Sequence, residues 1–215
     1  MPKIITAQEA ANLVKQGDKI LIGGFLAVGA PESIIDALVQ KGTKDLKLVV
    51  IASDYEDKGM GKLVVNKQVK AVQVSHLGTN KEIQRQMYAD EIKVELIPQG
   101  SLLERVRAAG SGLGGVLTPV GIGTLAAEGK QVINVDGKDF LLEKALHGDV
   151  ALIHAHKADK QGNLIYRKTA RNSNPVMATA GKIVIAEVDE IVEIGQLDPE
   201  RVVTPSIFVN YLVKK

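Results

Sequence analysis

The chain predicts an α/β protein with an open, largely parallel sheet flanked by helices, and three observations carry that reading. Short runs of Val, Ile and Leu alternate with segments of helical period along the first half. Those runs are continuously apolar, as strands covered on both faces are, rather than alternating apolar with polar. The 215 residues, 45% hydrophobic and 24% charged, suffice for a sizeable core in one domain spanning residues 1–215.

The elements follow in order. Thr6-Ala7-Gln8-Glu9 has the form of a capping box, and Ala10, Leu13 and Val14 continue it at helical spacing, with Gly17 expected to end the helix. Lys19–Ile22 reads as a short buried strand. Pro31 suits the first position of a second helix, whose apolar face is Ile34, Ile35, Leu38 and Val39. Strands are expected at 46–52, 69–74 and 94–97. Thr79-Asn80-Lys81-Glu82 and Ser101-Leu102-Leu103-Glu104 read as two more capping boxes, opening helices toward Met87 and Ala109.

The second half changes character. Segments 110–115 and 118–124 are too rich in glycine to form one regular element. Val132–Val135, then Asp136-Gly137, then 140–142 predict a hairpin. Segments 150–153 and 164–166, around Asp159-Lys160-Gln161-Gly162, predict another, and 183–187 a late core strand. No repeat, low-complexity stretch or linker interrupts the pattern.

Composition excludes several classes of function. A net charge of +2 gives no electrostatic case for nucleic acid or an anionic membrane. Three Phe, four Tyr and no Trp are too few for a base- or sugar-stacking platform. Cysteine is absent, which removes disulfides and thiolate metal sites. No apolar run approaches the roughly 18 residues of a membrane span. Met1-Pro2-Lys3-Ile4-Ile5 lacks the form of a secretory leader, so the cytoplasm is the expected compartment.

The chemistry concentrates at residues 18–31, where a short strand runs into Gly23, Gly24 and Gly29 before Pro31. Glycine permits positive φ and lets a ligand approach the main chain, while the following helix offers free N–H groups to an anion or oxyanion. The loop is neither a Walker loop nor Gly-x-Gly-x-x-Gly. On physical grounds alone it is an anion or carbonyl pocket at a strand end, or a turn whose glycines serve geometry only.

The wording Asp-x-x-x-x-Gly-Gly-Phe-x-x-x-Gly-x-Pro resembles the signature of family I coenzyme A transferases, in their α (A) subunit. Pro98-Gln99-Gly100, Gly112-Leu113-Gly114-Gly115, Thr118-Pro119-x-Gly121-x-Gly123-Thr124, Asn172-x-Asn174-Pro175 and Thr204-Pro205 also look like this family and occur in its order. The resemblance spans nearly the whole chain.

The resemblance implies a fold of the ribose-5-phosphate isomerase-like type and a ping-pong transfer of CoA between carboxylic acids. A glutamate attacks the acyl-CoA carbonyl, and a mixed anhydride and a glutamyl-CoA thioester follow. In two-gene members that glutamate belongs to the β subunit, so no catalytic residue is expected here. Glu56, Glu95, Glu104, Glu128, Glu143 and Glu187 are read as solvated or salt-bridged. The resemblance further implies an α2β2 assembly, and acyl-CoA esters and carboxylic acids as substrates, with no permanently bound cofactor. The motifs look most like acetoacetate/acetate/butyrate transferases, with 3-oxoadipate and succinyl-CoA:3-oxoacid transferases as near relatives. A sugar-phosphate isomerase or deaminase on the same fold, or a subunit that binds CoA esters without turnover, are the other readings.

Within that frame the CoA-binding stretch is Gly23, Gly24, Phe25, Leu26, Ala27, Val28 and Gly29, with backbone N–H groups near Gly23, Gly24 and Phe25 as oxyanion donors. Gln99, with Gly100, stands between a strand and a helix, where its amide orients a carboxylate or merely opens the helix. Gly114 and Gly115 form a wall over the acyl group or a tight backbone crossing. His154 and His156 share a strand face without a third ligand, so no metal is expected; His76, at a strand end beside Gly78, reads as structural or as approaching the cleft, and His147 carries no signal. Arg167, Lys168 and Arg171 form a basic cluster for CoA phosphates or an acidic substrate, or else a solvated loop or subunit contact. Gly24→Val is expected to leave folding and assembly intact while lowering kcat, and an unchanged kcat would remove the oxyanion role.

Overall fold

The computed structural model describes residues 1–215. Its main sheet contains β1 (Lys3–Ile5), β2 (Lys19–Ile22), β3 (Leu46–Val49), β4 (Val69–Val74), β5 (Lys93–Leu96), β9 (Gly148–Asp159), β10 (Leu164–Ile165), β11 (Gly181–Val192) and β12 (Tyr211–Lys214). The order is β1-β12-β11-β9-β2-β3-β4-β5, all parallel, with β10 antiparallel to β9. A three-stranded antiparallel sheet is formed by β6 (Gly115–Thr118), β7 (Val132–Val135) and β8 (Lys138–Lys144), in the order β6-β8-β7. The open, largely parallel architecture is therefore the one expected.

Alternate side chains of the central strands feed two cores. Ile20, Ile22, Leu48, Val150 and Leu152 pack with α1 (Ala7–Leu13), α2 (Glu32–Lys41), α3 (Gly61–Val65) and α4 (Lys81–Tyr88) on one face. Leu21, Val49, Ala151 and Ile153 pack with α5 (Gln99–Gly110) and α6 (Asn174–Ala180) on the other. Burying a Val, Leu or Ile contributes about 1.5–3 kcal/mol, so strands covered on both faces anchor the molecule. No helix is long and apolar enough to cross a membrane.

From β2 the chain moves outward to β3, β4 and β5, and only later inserts β9 on the other side of β2. The space beyond the carboxyl ends of β2 and β9 is thus a topological switch point, where open α/β sheets leave a crevice. The loop 23–29 rises at that place.

Several local expectations are corrected. The Thr6–Glu9 box is present, with Thr6 Oγ1 accepting from the Glu9 N–H and Glu9 Oε2 from the Thr6 N–H, but α1 stops at Leu13, before Gly17. The cap of α4 is Asn80, whose Oδ1 accepts from the Ile83 N–H at 3.0 Å, because the helix starts one residue later than expected, at Lys81; the Thr79 hydroxyl donates instead to the Asp54 carbonyl. α5 begins at Gln99 behind Pro98, leaving Ser101 buried inside the helix rather than capping it. Pro31 is the N-cap of α2, not its first residue. The third strand ends at Val49, with 50–52 continuing as buried irregular chain. In the glycine-rich half, Gly115–Thr118 forms β6, while the Asp136-Gly137 hairpin is as expected, both turn residues having positive φ.

Pro31 has no side-chain acceptor for the first N–H groups of α2. Glu187 of β11 takes that role: its Oε2 accepts from the Ser33 N–H (2.9 Å), the Ser33 hydroxyl (2.5 Å) and the Ile34 N–H (3.1 Å). Glu187 is fully buried and is neither solvated nor salt-bridged, contrary to its reading from sequence. Glu143, by contrast, is paired with Lys130 at 2.6 Å. Glu187→Ala leaves buried donors at the start of α2 without an acceptor and is expected to cost about 2–4 kcal/mol in urea unfolding, Glu187→Gln less. An Ala variant as stable as wild type would show that the contact carries no net stability.

Candidate active-site cleft

The loop leaves β2 gradually. The Gly23 N–H still reaches the Leu152 carbonyl of β9 at 2.9 Å, and Gly24 then turns with φ +121°. Phe25 and Val28 exchange both backbone hydrogen bonds, at 3.1 and 3.0 Å, closing a two-residue turn. The turn residues are Leu26 (φ 50°) and Ala27 (φ 65°), both left-handed. Asn and Gly ordinarily occupy such positions, and a side chain there costs roughly 1–2 kcal/mol per residue. The turn is strained and something must hold it.

One holder is the segment that opens α6. Asn174, fully buried, accepts from the His154 N–H with Oδ1 (2.9 Å) and donates with Nδ2 to the Gly29 carbonyl (3.0 Å) and the Ala170 carbonyl (2.9 Å). Its Oδ1 replaces the strand partner that β9 loses where β2 ends. Ser173 Oγ accepts from the Gly24 N–H at 3.2 Å, and Asn172 Nδ2 donates to the Val28 carbonyl at 2.8 Å. This proximity explains two glycines. A Cβ on Gly23 would lie 1.8 Å from Asn174 Oδ1, and one on Gly29 2.5 Å from the Ala170 carbonyl oxygen.

The other holder is Asp54, which the sequence reading did not single out. Its Oδ1 accepts from the Ala27 N–H (2.8 Å) and its Oδ2 from the Met60 N–H (3.0 Å), and it is only 5% exposed. Burial pushes its carboxyl up to about 6, against the two N–H donors that lower it, and the Glu32 carboxylate adds to the rise. Glu32 accepts from the Gly59 N–H at 2.8 Å and pairs with Lys62 at 2.7 Å. The available signal was an acid just past the end of an apolar run in an open α/β sheet.

Phe25, Leu26 and Val28 line a cleft of about 410 Å³ with Ile51, Gln99, Thr169 and Asn172, none of them an acid. Gln99 therefore meets the loop as expected; its Oε1 lies 3.3 Å from Ser75 Oγ, and its amide N–H has no acceptor in the chain. Gly100 instead lines a separate cleft with Val116, Leu117, Thr118 and Val120, and Gly114 and Gly115 line neither. Gly115 is a strand residue whose Cβ would lie 2.5 Å from the Glu143 carbonyl oxygen, a tight backbone crossing.

The expected oxyanion donors need correction. The N–H groups of Gly23, Gly24 and Phe25 are bonded to Leu152, Ser173 and Val28, so the loop amides without an acceptor are those of Leu26 and Gly29. Gly24→Val strains the turn itself, because its φ disfavours any side chain and a Cβ meets Ala30 at 3.2 Å. That variant does not isolate an amide's role, contrary to expectation.

Beyond Val28 and Thr169 lies a second cleft, of about 400 Å³, with His154, His156, Asp189, Arg167 and Lys168 on its walls. His154 and His156 do share a strand face, and both rings meet the Asp189 carboxylate, at 3.0 and 3.1 Å.

A model of the family described as "Coenzyme A transferase" matches residues 4–215. The chain is 44% identical to the alpha subunit of the acetate CoA-transferase of Escherichia coli (strain K12), over 98% of this chain and 96% of that one. It is 47% identical to the A-type subunit of a probable succinyl-CoA:3-ketoacid coenzyme A transferase of Bacillus subtilis (strain 168), over 99% and 90%. An acyl-CoA transferase of Escherichia coli O157:H7, solved as a thioester complex with CoA, has the same fold, with a TM-score of 0.88 at 24% identity. The match covers all of this chain and 47% of that one, so the chain spans about half its length.

Gly23→Ala and Asn174→Ala are each expected to lose about 1–3 kcal/mol, the first by overpacking and the second by leaving buried groups unpaired. The double variant should lose less than the sum by about 1 kcal/mol, because removing the Asn174 amide makes room for the new methyl. Strict additivity in a denaturation cycle would mean that the two residues do not constrain each other.

Proposed function

The chain belongs to the coenzyme A transferase family as a subunit of the α (A) type, and from that premise we propose the reaction it serves and its share in it. With residues 1–215 acting as one domain, it joins a β subunit, forming α2β2 in the cytoplasm. Together they move CoA between a short-chain acyl-CoA and a carboxylate of the acetoacetate/acetate/butyrate type. The route is ping-pong through a glutamyl-CoA thioester on the β subunit, with CoA esters as substrates and no resident cofactor. The observation that carries this reading is the pairing of a glycine loop, with free amides, and an apolar cleft without an acid at the switch point of the sheet.

Each acyl transfer on this route passes through a tetrahedral oxyanion. The Gly23–Gly29 loop serves the thioester end of the substrate, and the Leu26 and Gly29 amides are its candidate donors. One preorganised donor in a dry cleft is worth about 3–4 kcal/mol of barrier. Gln99 offers an amide N–H to a carboxylate across the cleft. Gly100, Gly114 and Gly115, assigned to the substrate pocket from sequence, receive no support from the cleft's lining. The similarity to a succinyl-CoA:3-ketoacid transferase chain favours a second donor, succinyl-CoA. An apolar pocket separates such chains by only about 1–3 kcal/mol per methylene.

Co-expression with a neighbouring β-type gene should yield an active complex, whereas this chain alone should be inactive. Incubation with acyl-CoA followed by mass mapping should find the thioester on a β-chain glutamate. Turnover by the isolated α chain would overturn this division of labour.

A further inference from the structure

Asp54 lies outside the clefts yet touches the loop at its most strained point. We propose that Asp54 is a positioning residue for the transfer: its carboxylate holds the Ala27 N–H, keeps Leu26–Ala27 left-handed, and so leaves the Leu26 N–H free toward the thioester. The inference rests on the transferase reading and adds to it a residue that does not meet substrate.

The geometry has three parts. The Phe25–Val28 hydrogen bonds close the turn but do not by themselves favour Leu and Ala in left-handed conformation. Of the turn's two central N–H groups, that of Ala27 is held at 2.8 Å by Asp54 and that of Leu26 has no acceptor. Asp54 is itself immobilised: its second oxygen holds the Met60 N–H, its carbonyl accepts from Thr79 Oγ1 at 2.7 Å, and a Cβ on Gly59 would lie 2.0 Å from Oδ2. A buried, doubly anchored carboxylate transmits a fixed position to the loop tip.

Protonation weakens this arrangement, because the oxygen that takes the proton becomes a donor and a much poorer acceptor for its N–H partner. The charged and titratable groups around Asp54 are Glu32 of α2, paired with Lys62 of α3, and His76 at the end of β4, whose carbonyl accepts from the Ser53 N–H. Glu32 disfavours the ionised form of Asp54. Burial has raised the Asp54 carboxyl to about 6, above its ordinary value, so its contribution to stability is present at low pH and lost as pH rises through about 6. Loop positioning has the opposite sign. Between pH 7 and 5 the Asp54 contribution to stability rises while kcat falls, a combination that a merely structural acid would not produce.

The test uses the reconstituted complex with the β subunit, and a wild-type complex without transferase activity would refute the parent reading before Asp54 is reached. In an active complex, Asp54→Asn is expected to lower kcat about 10- to 100-fold with KM little changed, as small displacements of reacting groups do. It should also abolish the part of the acid limb of kcat that is centred at about 6. Adding Ala27→Gly, which removes the Ala27 share of the cost of the left-handed turn, should restore activity several-fold. Wild-type kcat and pH profile in Asp54→Asn, or no rescue by Ala27→Gly, would overturn the proposal; the latter would assign Asp54 to the Met60 segment alone. If Asp54→Asn does not assemble, hydrogen exchange in wild type still decides. Protection of residues 24–30, corrected for intrinsic rate, should fall from pH 7 to pH 5, and unchanged protection would overturn the proposal.

Discussion

The seating of Asn172, Ser173 and Asn174 against the glycine loop is the constraint on which the site depends. Parallel pairing between β2 and β9 ends at Ile22 and Leu152, so the His154 N–H on that side needs another acceptor in a buried setting. Asn174 supplies it and spends its own N–H groups on the carbonyls of Gly29 and Ala170. Because the Asn174 amide lies so close to residue 23, and the Ala170 carbonyl to residue 29, a side chain at either position is penalised. The loop's path is therefore set by a polar group from a helix about 150 positions away in sequence, through hydrogen bonds that are costly to leave unmade.

The acids around the cleft serve the backbone. Glu187 caps α2, Asp54 holds Ala27 and Met60, and Glu32 holds Gly59. Each compensates for N–H groups that a strand-to-helix connection or a helix start leaves unpaired. The cleft itself keeps an apolar lining and an amide, a suitable environment for stabilising charge that develops on a substrate. Carboxylates that look alike in sequence have thus divided into those that hold main chain and those that meet water, such as Glu104 on the surface of α5 beside Arg107.

Local chemistry read well where a residue's partner lies within a turn or two. The Thr6–Glu9 box and the Asp136-Gly137 hairpin follow from contacts three or four residues apart. It read less well where a distant group competed for the same atom. The Thr79 hydroxyl is held on the Asp54 carbonyl while Asn80 caps a helix that starts at Lys81, and Ser101 is buried within a helix that starts earlier. The short terminal strands β1 and β12 gave little periodic signal, and pair only because the sheet brings the two ends of the chain together.

From sequence alone came the α/β class, the parallel sheet, the strand-end position of the glycine loop and the family resemblance carried by motifs such as Asn172-x-Asn174-Pro175. These depend on periodicity and residue type, which are local. Which amides of the loop are free was decided only by the tertiary structure. Gly23, Gly24 and Phe25 looked like donors until Leu152, Ser173 and Val28 took their N–H groups. Asp54 gained a place because two carboxylate oxygens and a strained turn meet only in the folded chain. Hydrogen-bond satisfaction is a property of the whole packing, and no window of sequence contains it.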